Sequence, residues 1–159
     1  MLIYFEKLER KTNRFPLFFV IFLIDLVFHL VISWLVTLYD SKILESFEKN
    51  TTLVEIFILS VIAGPLLETF LFQYLIIEIL YKFKKINVRG ILIISALAFS
   101  LIHNYNFIYI LVTFVSGLIY ASYYLYLKIK KKKFPFLYVL ALHSLYNFSV
   151  FILVDILKL

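Results

Sequence analysis

Residues 64–73, GPLLETFLFQ, place one carboxylate, Glu68, near the middle of an apolar run that covers residues 53–81. The run exceeds the roughly 20 residues that an α-helix needs to cross a bilayer. A charged side chain at the bilayer centre costs about 2.5–3.5 kcal/mol on insertion scales, so an acid at this depth is a candidate for function. The stretch therefore predicts a membrane-spanning helix that carries a functional carboxylate.

The rest of the chain has the composition of an integral membrane protein. Of its 159 residues, 64% are hydrophobic, against about 45–50% in a soluble domain. Apolar runs lie at 16–38, 53–81, 88–105, 107–127 and 134–157. They predict an all-α bundle of about five transmembrane helices in a single membrane domain (1–159), with an N-terminal helix and loop (1–50) and a four-helix core (51–159). The third run is short between its polar ends, which allows its helix to end inside a polar cavity.

Basic residues lie in three segments, 7–14, 82–89 and 128–133, which together hold 13 of the 16 lysines and arginines. Five helices put all three segments on one side of the membrane, and by the positive-inside rule that side is the cytoplasm. We therefore expect a multi-pass protein of the cell membrane, surrounded by lipid, with a cytoplasmic N-terminus. Because the basic residues separate apolar runs and do not form one face of a domain, nucleic acid is not an expected partner.

Three further polar residues, His103, His143 and Asn147, lie in the later apolar runs. Counted inward from the cytoplasmic helix ends at about 1.5 Å per residue, they and Glu68 lie about 14–23 Å deep, in one layer of the bilayer. The chain has no cysteine, so thiolate ligands and nucleophiles are excluded. A single membrane histidine or asparagine is more often a packing residue or an interhelical hydrogen-bonding group. The four residues together favour a catalytic site.

The dipeptide Gly64-Pro65 predicts a break or kink in the second helix, because proline lacks the amide hydrogen and clashes with the preceding turn. If a new helix begins at Pro65, Glu68 lies in its first turn, where free amides and the helix dipole favour a carboxylate. That position would suit a group that takes up a proton during a reaction.

The polar residues stand in three spaced motifs. They are Glu68-Thr69-x-x-x-Gln73, Phe99-x-x-x-His103 and His143-x-x-x-Asn147. In this order, and on separate hydrophobic helices, they resemble the E-E-x-x-x-R, F-x-x-x-H and H-x-x-x-N motifs of the CAAX-protease and bacteriocin-processing (CPBP, or Abi) family of intramembrane endopeptidases. The resemblance covers about residues 60–150, the last four helices.

The resemblance implies hydrolysis of a peptide bond in a hydrophobic peptide or a membrane-anchored protein. By position, Glu68 would act as general base on a water, and His103 would position and polarise that water. His143 and Asn147 would stabilise the oxyanion, a role worth on the order of 10²–10³ in rate for each donor. No cofactor is implied. One glutamate and two histidines (Glu68, His103 and His143) could also hold zinc, which is the minority alternative.

Two positions depart from the family pattern, since Thr69 replaces the second glutamate and Gln73 replaces the arginine. Both charges are absent together, whereas the loss of one alone would strand a buried charge at a cost of about 3–5 kcal/mol. The two neutral side chains are four residues apart and are able to hydrogen-bond across one helix turn, which is typical of a compensated structural variant that keeps Glu68. With Phe99, they are predicted to support the site.

Other functions fit parts of the pattern. The main alternative is a non-catalytic membrane protein, such as a bacteriocin-immunity factor that binds its toxin, and an inactive relative of the family is a related possibility. A small proton-coupled transporter is a third, which the absence of a visible inverted repeat weakens. The abundance of Lys, Ile, Phe and Asn is typical of an AT-rich prokaryotic genome. In such hosts the family's suspected substrates are bacteriocin leaders, signalling peptides and membrane-protein tails.

The first helix carries Asp25, His29 and Ser33 at spacings of four, which resembles a Ser-His-Asp set. Residues stacked along one helix seldom reach triad geometry, so we expect Asp25 and His29 to satisfy each other against a neighbouring helix, with a proton relay as the alternative. The dipeptide Ser116-Gly117 is predicted to mark close helix packing. The remaining acids near helix ends are assigned no role: Glu55, Glu78 and Asp155.

Overall fold

The computed structural model describes residue 5 and residues 14–39, 51–83 and 86–158. Within these ranges the chain forms helices and turns and no strand. The described helices are α1 (Arg14–Tyr39), α2 (Leu53–Lys82), α3 (Val88–Leu101), α4 (Phe107–Ile129) and α5 (Pro135–Ile156). The predicted all-α bundle is confirmed. Residues 7–13 and the loop 40–50 lie outside the described residues, and the orientation in the membrane stays a prediction.

Helices α1, α2, α4 and α5 are long and apolar enough to cross a membrane. The 14 residues of α3 make a helix of about 21 Å, shorter than the hydrocarbon core of about 30 Å. If the chain crosses the membrane here, as the five-helix prediction requires, the non-helical residues 102–106 complete the crossing. Backbone of this kind is tolerated at membrane depth only where protein or water satisfies its polar groups. The sequence allowed for an early end of this helix, and the structure has one.

Polar caps set several helix boundaries. At the start of α2, Thr52 Oγ1 accepts from the Glu55 N–H and the Glu55 carboxylate accepts from the Thr52 N–H, which together make a capping box. Asn87 and Asn106 cap α3 and α4 in a similar way, each accepting a backbone N–H from the first turn. Glu55, to which the sequence assigned no role, thus helps to begin α2.

Helix α4 is the centre of the bundle. In its most apolar 18-residue window 56% of the residues are buried, against 17–22% in the other three long helices. Residues 119–127 are all buried. At Gly117 the neighbouring helix α3 comes so close that a Cβ atom would lie 3.0 Å from Ala96 Cα and 3.1 Å from the Phe99 ring. The close packing predicted for Ser116-Gly117 is confirmed at the glycine.

An ion pair joins α2 to α4 near the predicted cytoplasmic end. The Lys128 ammonium donates to both carboxylate oxygens of Glu78, at 2.7 and 2.8 Å, and Tyr124 donates to the same carboxylate at 2.7 Å. The pair is about a quarter exposed, so water reaches it as expected for a residue near a helix end. Glu78 nevertheless has a structural role, which its position in the sequence did not reveal.

The outer faces of α1 and α2 are apolar and exposed. Their large exposed side chains include Leu23, Val27, Trp34, Leu59 and Leu67. Soluble proteins rarely expose continuous apolar surface of this extent, whereas such a surface matches the hydrocarbon of a bilayer. The chain is a multi-pass membrane protein.

Candidate active site

The predicted acid lies where α2 changes its helical geometry. Phe57–Ala63 and Thr69–Leu75 are π-helical, and the α-helical segment Gly64–Glu68 lies between them. Interruptions of this type occur frequently at functional sites. The helix continues through Pro65, so the predicted break takes the form of a change in helix type. Placing Glu68 in the first turn of a new helix is wrong, because no free helix start exists there.

The proline leaves one carbonyl of α2 without a helical donor. The Gly64 N–H, which would bond to the Ser60 carbonyl in an α-helix, bonds to Leu59 instead. Pro65, which would be the π-helical donor, has no N–H. The Asn147 side chain on α5 fills this place, and its Nδ2 donates to the Ser60 carbonyl at 2.6 Å. An amide nitrogen carries two hydrogens, so a second remains for another acceptor.

Glu68 meets both predicted histidines. Its Oε2 lies 3.7 Å from Nε2 of His103 and 3.6 Å from Nε2 of His143. The three side chains come from the middle of α2, the turn after α3 and the middle of α5. These separations are longer than a direct hydrogen bond, and each is short enough for one water to bond both groups. The structure thus brings together three residues that the sequence related only by depth.

The two histidines present different groups to Glu68, because their Nδ1 atoms have different hydrogen-bond partners. His103 Nδ1 lies 2.8 Å from the Phe99 carbonyl, which can only accept, so Nδ1 carries the hydrogen and Nε2 of the neutral ring presents a lone pair to Glu68. His143 Nδ1 lies 3.4 Å from the Thr69 hydroxyl. If that hydroxyl donates, His143 Nε2 carries the hydrogen. These partners assign the positions of the ring hydrogens. Beside the Glu68 carboxylate, His103 Nε2 is an acceptor and His143 Nε2 is a donor.

Aromatic rings hold the imidazoles. The Phe99 ring lies between them, with its centroid 4.7 Å from that of His103 and 5.6 Å from that of His143. Tyr120 of α4 lies 4.9 Å from His143, and Tyr109 lies 6.0 Å from His103, centroid to centroid. Neither tyrosine was predicted from the sequence, because the two are hard to single out among 12. Their spacing of 11 residues, about three helix turns, was the available signal that they share a face.

A comparison with known protein families adds to this geometry. The family model described as type II CAAX prenyl endopeptidase, Rce1-like, matches residues 50–149. The chain belongs to the Rce1-like family. The match contains all three motifs and confirms the CPBP family predicted from them, while α1 precedes it. No curated protein and no solved structure matches the chain. Membership of the Rce1-like family supports a membrane protease of the CAAX type.

Thr69 and Gln73, which depart from the motif that the resemblance implies, do not hydrogen-bond to each other. Thr69 and Gln73 are both fully buried. The Thr69 hydroxyl faces His143, and neither the nitrogen nor the oxygen of the Gln73 amide has a hydrogen-bond partner among the described residues. The hydrogen bond that the two side chains could form across one turn of α2 is not made, because the Thr69 hydroxyl faces His143 on α5.

Zinc was the minority alternative for the residues around Glu68. In the part of the chain that the structure describes, no three His, Asp or Glu side chains form a group that could hold a metal ion. The metal-free site and the zinc site both stay predictions, which metal analysis of the purified protein can separate.

A second polar cluster lies beside the site. The fully buried carboxylate of Asp25 accepts from Ser116 and Tyr120, both at 2.7 Å. His29 Nε2 lies 2.6 Å from Ser116 Oγ and 3.7 Å from Asp25. Asp25 and His29 do lie together against the neighbouring helix α4, but they do not satisfy each other directly as expected, because Ser116 hydrogen-bonds both. The carboxylate bonds the serine and not the imidazole, and the serine is not Ser33, so the cluster lacks the order of a catalytic triad.

Proposed function

We propose that this Rce1-like protein is an intramembrane endopeptidase that uses Glu68 as general base. The observation that carries the proposal is the position of Glu68 Oε2 within 3.7 Å of the Nε2 atoms of both His103 and His143. A general base must reach the proton that it removes directly or through one water. The separations around Glu68 suit a water held between the carboxylate and an imidazole.

In the proposed reaction, a water bridges Glu68 and the Nε2 lone pair of His103. Glu68 removes a proton as the water oxygen attacks the peptide carbonyl. The His143 Nε2–H donates to the oxyanion, and the second amide hydrogen of Asn147 is the further donor. The proton on Glu68 then passes to the leaving amine as the C–N bond breaks. Each oxyanion donor would contribute on the order of 10²–10³ in rate.

The proposed substrate is a hydrophobic peptide or the tail of a membrane-anchored protein, which would reach the site from the bilayer. The family is described as type II CAAX prenyl endopeptidases, so a prenylated C-terminal tail is the first probe. In a prokaryotic host, the proposed substrates are bacteriocin leaders, signalling peptides and membrane-protein tails. An unprenylated apolar peptide is therefore the second probe.

The test uses the full chain in lipid nanodiscs with two quenched-fluorescent peptides of equal length, one farnesylated at a CAAX tail and one unprenylated. Glu68→Gln should lower kcat by at least about 10²-fold, with an unchanged melting temperature. His103→Ala and His143→Ala should also lose cleavage. Glu55→Gln is the matched control, since that carboxylate on the same helix only caps its start. Cleavage at the wild-type rate by Glu68→Gln would refute the assignment.

Metal dependence is tested in the same preparation. The metal-free mechanism predicts less than one zinc per chain by elemental analysis and unchanged cleavage after dialysis against EDTA. Activity that is lost with EDTA and restored by added zinc would favour the zinc alternative at Glu68, His103 and His143.

A binding function without catalysis is the second candidate. It is favoured by the loss of both charges from the first motif and by the buried Gln73 amide, which has no hydrogen-bond partner among the described residues. Such a protein would bind a peptide and cleave neither probe. If cells expressing the Glu68→Gln, His103→Ala and His143→Ala variants were all protected from a bacteriocin as well as wild type, the binding function would replace the enzyme.

A further inference from the structure

Asp25 on α1 and Tyr120 on α4 connect the second polar cluster to the histidine that faces Glu68. We propose that Asp25 is a positioning residue, which holds the Tyr120 ring against His143 from outside the segment that matches the family. The kinetic part of this proposal rests on the proposed function. The structural part concerns the orientation of one imidazole and stands on its own.

The Tyr120 side chain is held at both ends. Its hydroxyl donates to Asp25 Oδ2 at 2.7 Å, and its ring lies 4.9 Å from the His143 ring and 6.1 Å from the Phe99 ring. Only 1% of the residue is exposed. A tyrosine ring has two torsions, so a fixed hydroxyl and a packed ring leave it one position. That position forms part of the surface against which His143 rests.

Asp25 is itself fixed by two hydroxyls of α4, and His29 of its own helix supports one of them. Ser116 donates to its second oxygen, and in this arrangement the His29 Nε2–H donates to Ser116 Oγ. The His29 ring lies 4.6 Å from that of Tyr146 on α5, centroid to centroid. The cluster therefore joins α1 to both helices that carry or contact His143.

An acid inside hydrocarbon has a substantial cost, and this one belongs to a helix that precedes the family match at residue 50. Ser116 and Tyr120 donate the two hydrogen bonds described for its carboxylate, and the Tyr120 ring contacts the His143 ring. The hydrogen bond described for that imidazole, from Thr69, is long at 3.4 Å. The ring orientation of His143 thus depends on its aromatic neighbours, and a displacement of about 1 Å at a reacting group can cost about 10²-fold in rate.

The experiment compares Asp25→Leu, Tyr120→Phe and the double variant, each in the full chain in nanodiscs. Asp25→Asn is the conservative variant, because an amide can accept from one hydroxyl and donate to the other. Glu78→Gln is the matched control, since it breaks the ion pair between α2 and α4 without touching Tyr120. The measurements are kcat and KM for the peptide probes, the melting temperature, and the His143 signals in NMR spectra of protein with isotope-labelled histidine.

We expect Asp25→Leu, Tyr120→Phe and the double variant to shift the His143 signals alike. In each of the three, kcat should fall on the order of 10- to 100-fold with KM within about twofold of wild type. Asp25→Leu should also lower the melting temperature, because it leaves the buried Ser116 and Tyr120 hydroxyls without their acceptor, so the His143 signals and not kcat alone report the positioning role. Asp25→Asn should retain the wild-type signals, and Glu78→Gln should lower the melting temperature only.

Wild-type His143 signals in both Asp25→Leu and Tyr120→Phe would overturn the proposal, as would losses of kcat that simply add in the double variant. If the wild-type chain cleaves neither probe, the proposed function fails. The NMR comparison alone then decides whether Asp25 positions His143.

Discussion

Replacing Asn147 with alanine should destabilise the bundle, because the Ser60 carbonyl then has no donor. A buried polar group left unpaired costs about 1–3 kcal/mol, whereas interhelical hydrogen bonds in membranes average only about 0.6 kcal/mol, since other partners are usually at hand. Here both helical donors are unavailable, because Gly64 bonds to Leu59 and Pro65 has no N–H. We therefore expect a loss of about 1–2 kcal/mol, at about 2–4 °C of melting temperature per kcal/mol for a chain of this size.

The decisive comparison adds Pro65→Ala, which supplies an N–H at the π-helical spacing from Ser60. In that background Asn147→Ala should cost about 1 kcal/mol less than in the wild type. Thermal and denaturant unfolding of wild type, Asn147→Ala, Pro65→Ala and the double variant measures this coupling. Ser149→Ala is the matched control, since its hydroxyl on α5 bonds a carbonyl within its own helix. The missing-donor argument would be refuted if the loss of unfolding free energy in the double variant equalled the sum of the two single-variant losses within about 0.3–0.5 kcal/mol.

The same cycle separates the structural and catalytic roles of Asn147. If its second amide hydrogen also contacts the oxyanion, the double variant recovers stability but not cleavage. Recovery of both would limit the residue to its hydrogen bond with Ser60.

Three other substitutions have defined outcomes. Gly117→Ala should cost about 1–3 kcal/mol of unfolding free energy by overpacking against the α3 backbone and should lower kcat through Phe99. Gly90→Ala, whose Cβ would meet the Ile86 Cγ2 methyl at 2.9 Å and Asn87 Oδ1 at 3.5 Å at the start of α3, should leave kcat unchanged; equal losses of kcat in the two would contradict this. Thr69→Val keeps the shape but removes the donor to His143, so kcat should fall about 10-fold at nearly constant melting temperature, and Thr69→Ser should retain activity. Lys128→Gln should cost at most about 1 kcal/mol, less in 1 M salt than at low salt, with unchanged cleavage; a loss independent of salt would show that the Glu78 pair is not the cause.

Much of the fold followed from the sequence because bilayer thickness and hydrophobicity constrain helix length strongly. The run at 53–81 became Leu53–Lys82, and the run at 107–127 became Phe107–Ile129. The helix from the run at 88–105 ends earlier, at Leu101, where Asn104 and Asn106 favour a turn and a cap over a continued helix.

The grouping of Glu68 with the two histidines could be anticipated because position along a straight helix fixes depth. The rotation of each helix about its axis is not fixed in this way. For that reason the sequence paired Thr69 with Gln73, although the Thr69 hydroxyl turns to His143. The hydrogen bond of Asn147 depends on a π-helical segment, which no spacing in the sequence announced. The Tyr120 anchor depends on an acid in another helix, 95 positions away.

The shortness of α3 has a consequence for the lipid around it. Its outward side chains, among them Ile93, Leu97 and Leu101, are apolar and exposed, so acyl chains pack directly against a segment that spans only part of their thickness. Local thinning of the bilayer is one way to relieve such a hydrophobic mismatch. Because His103 follows the end of α3, thinning there would shorten the path of water and of the proposed peptide substrate to Glu68. We therefore expect the acyl chain length of the host membrane to change how readily the site is reached.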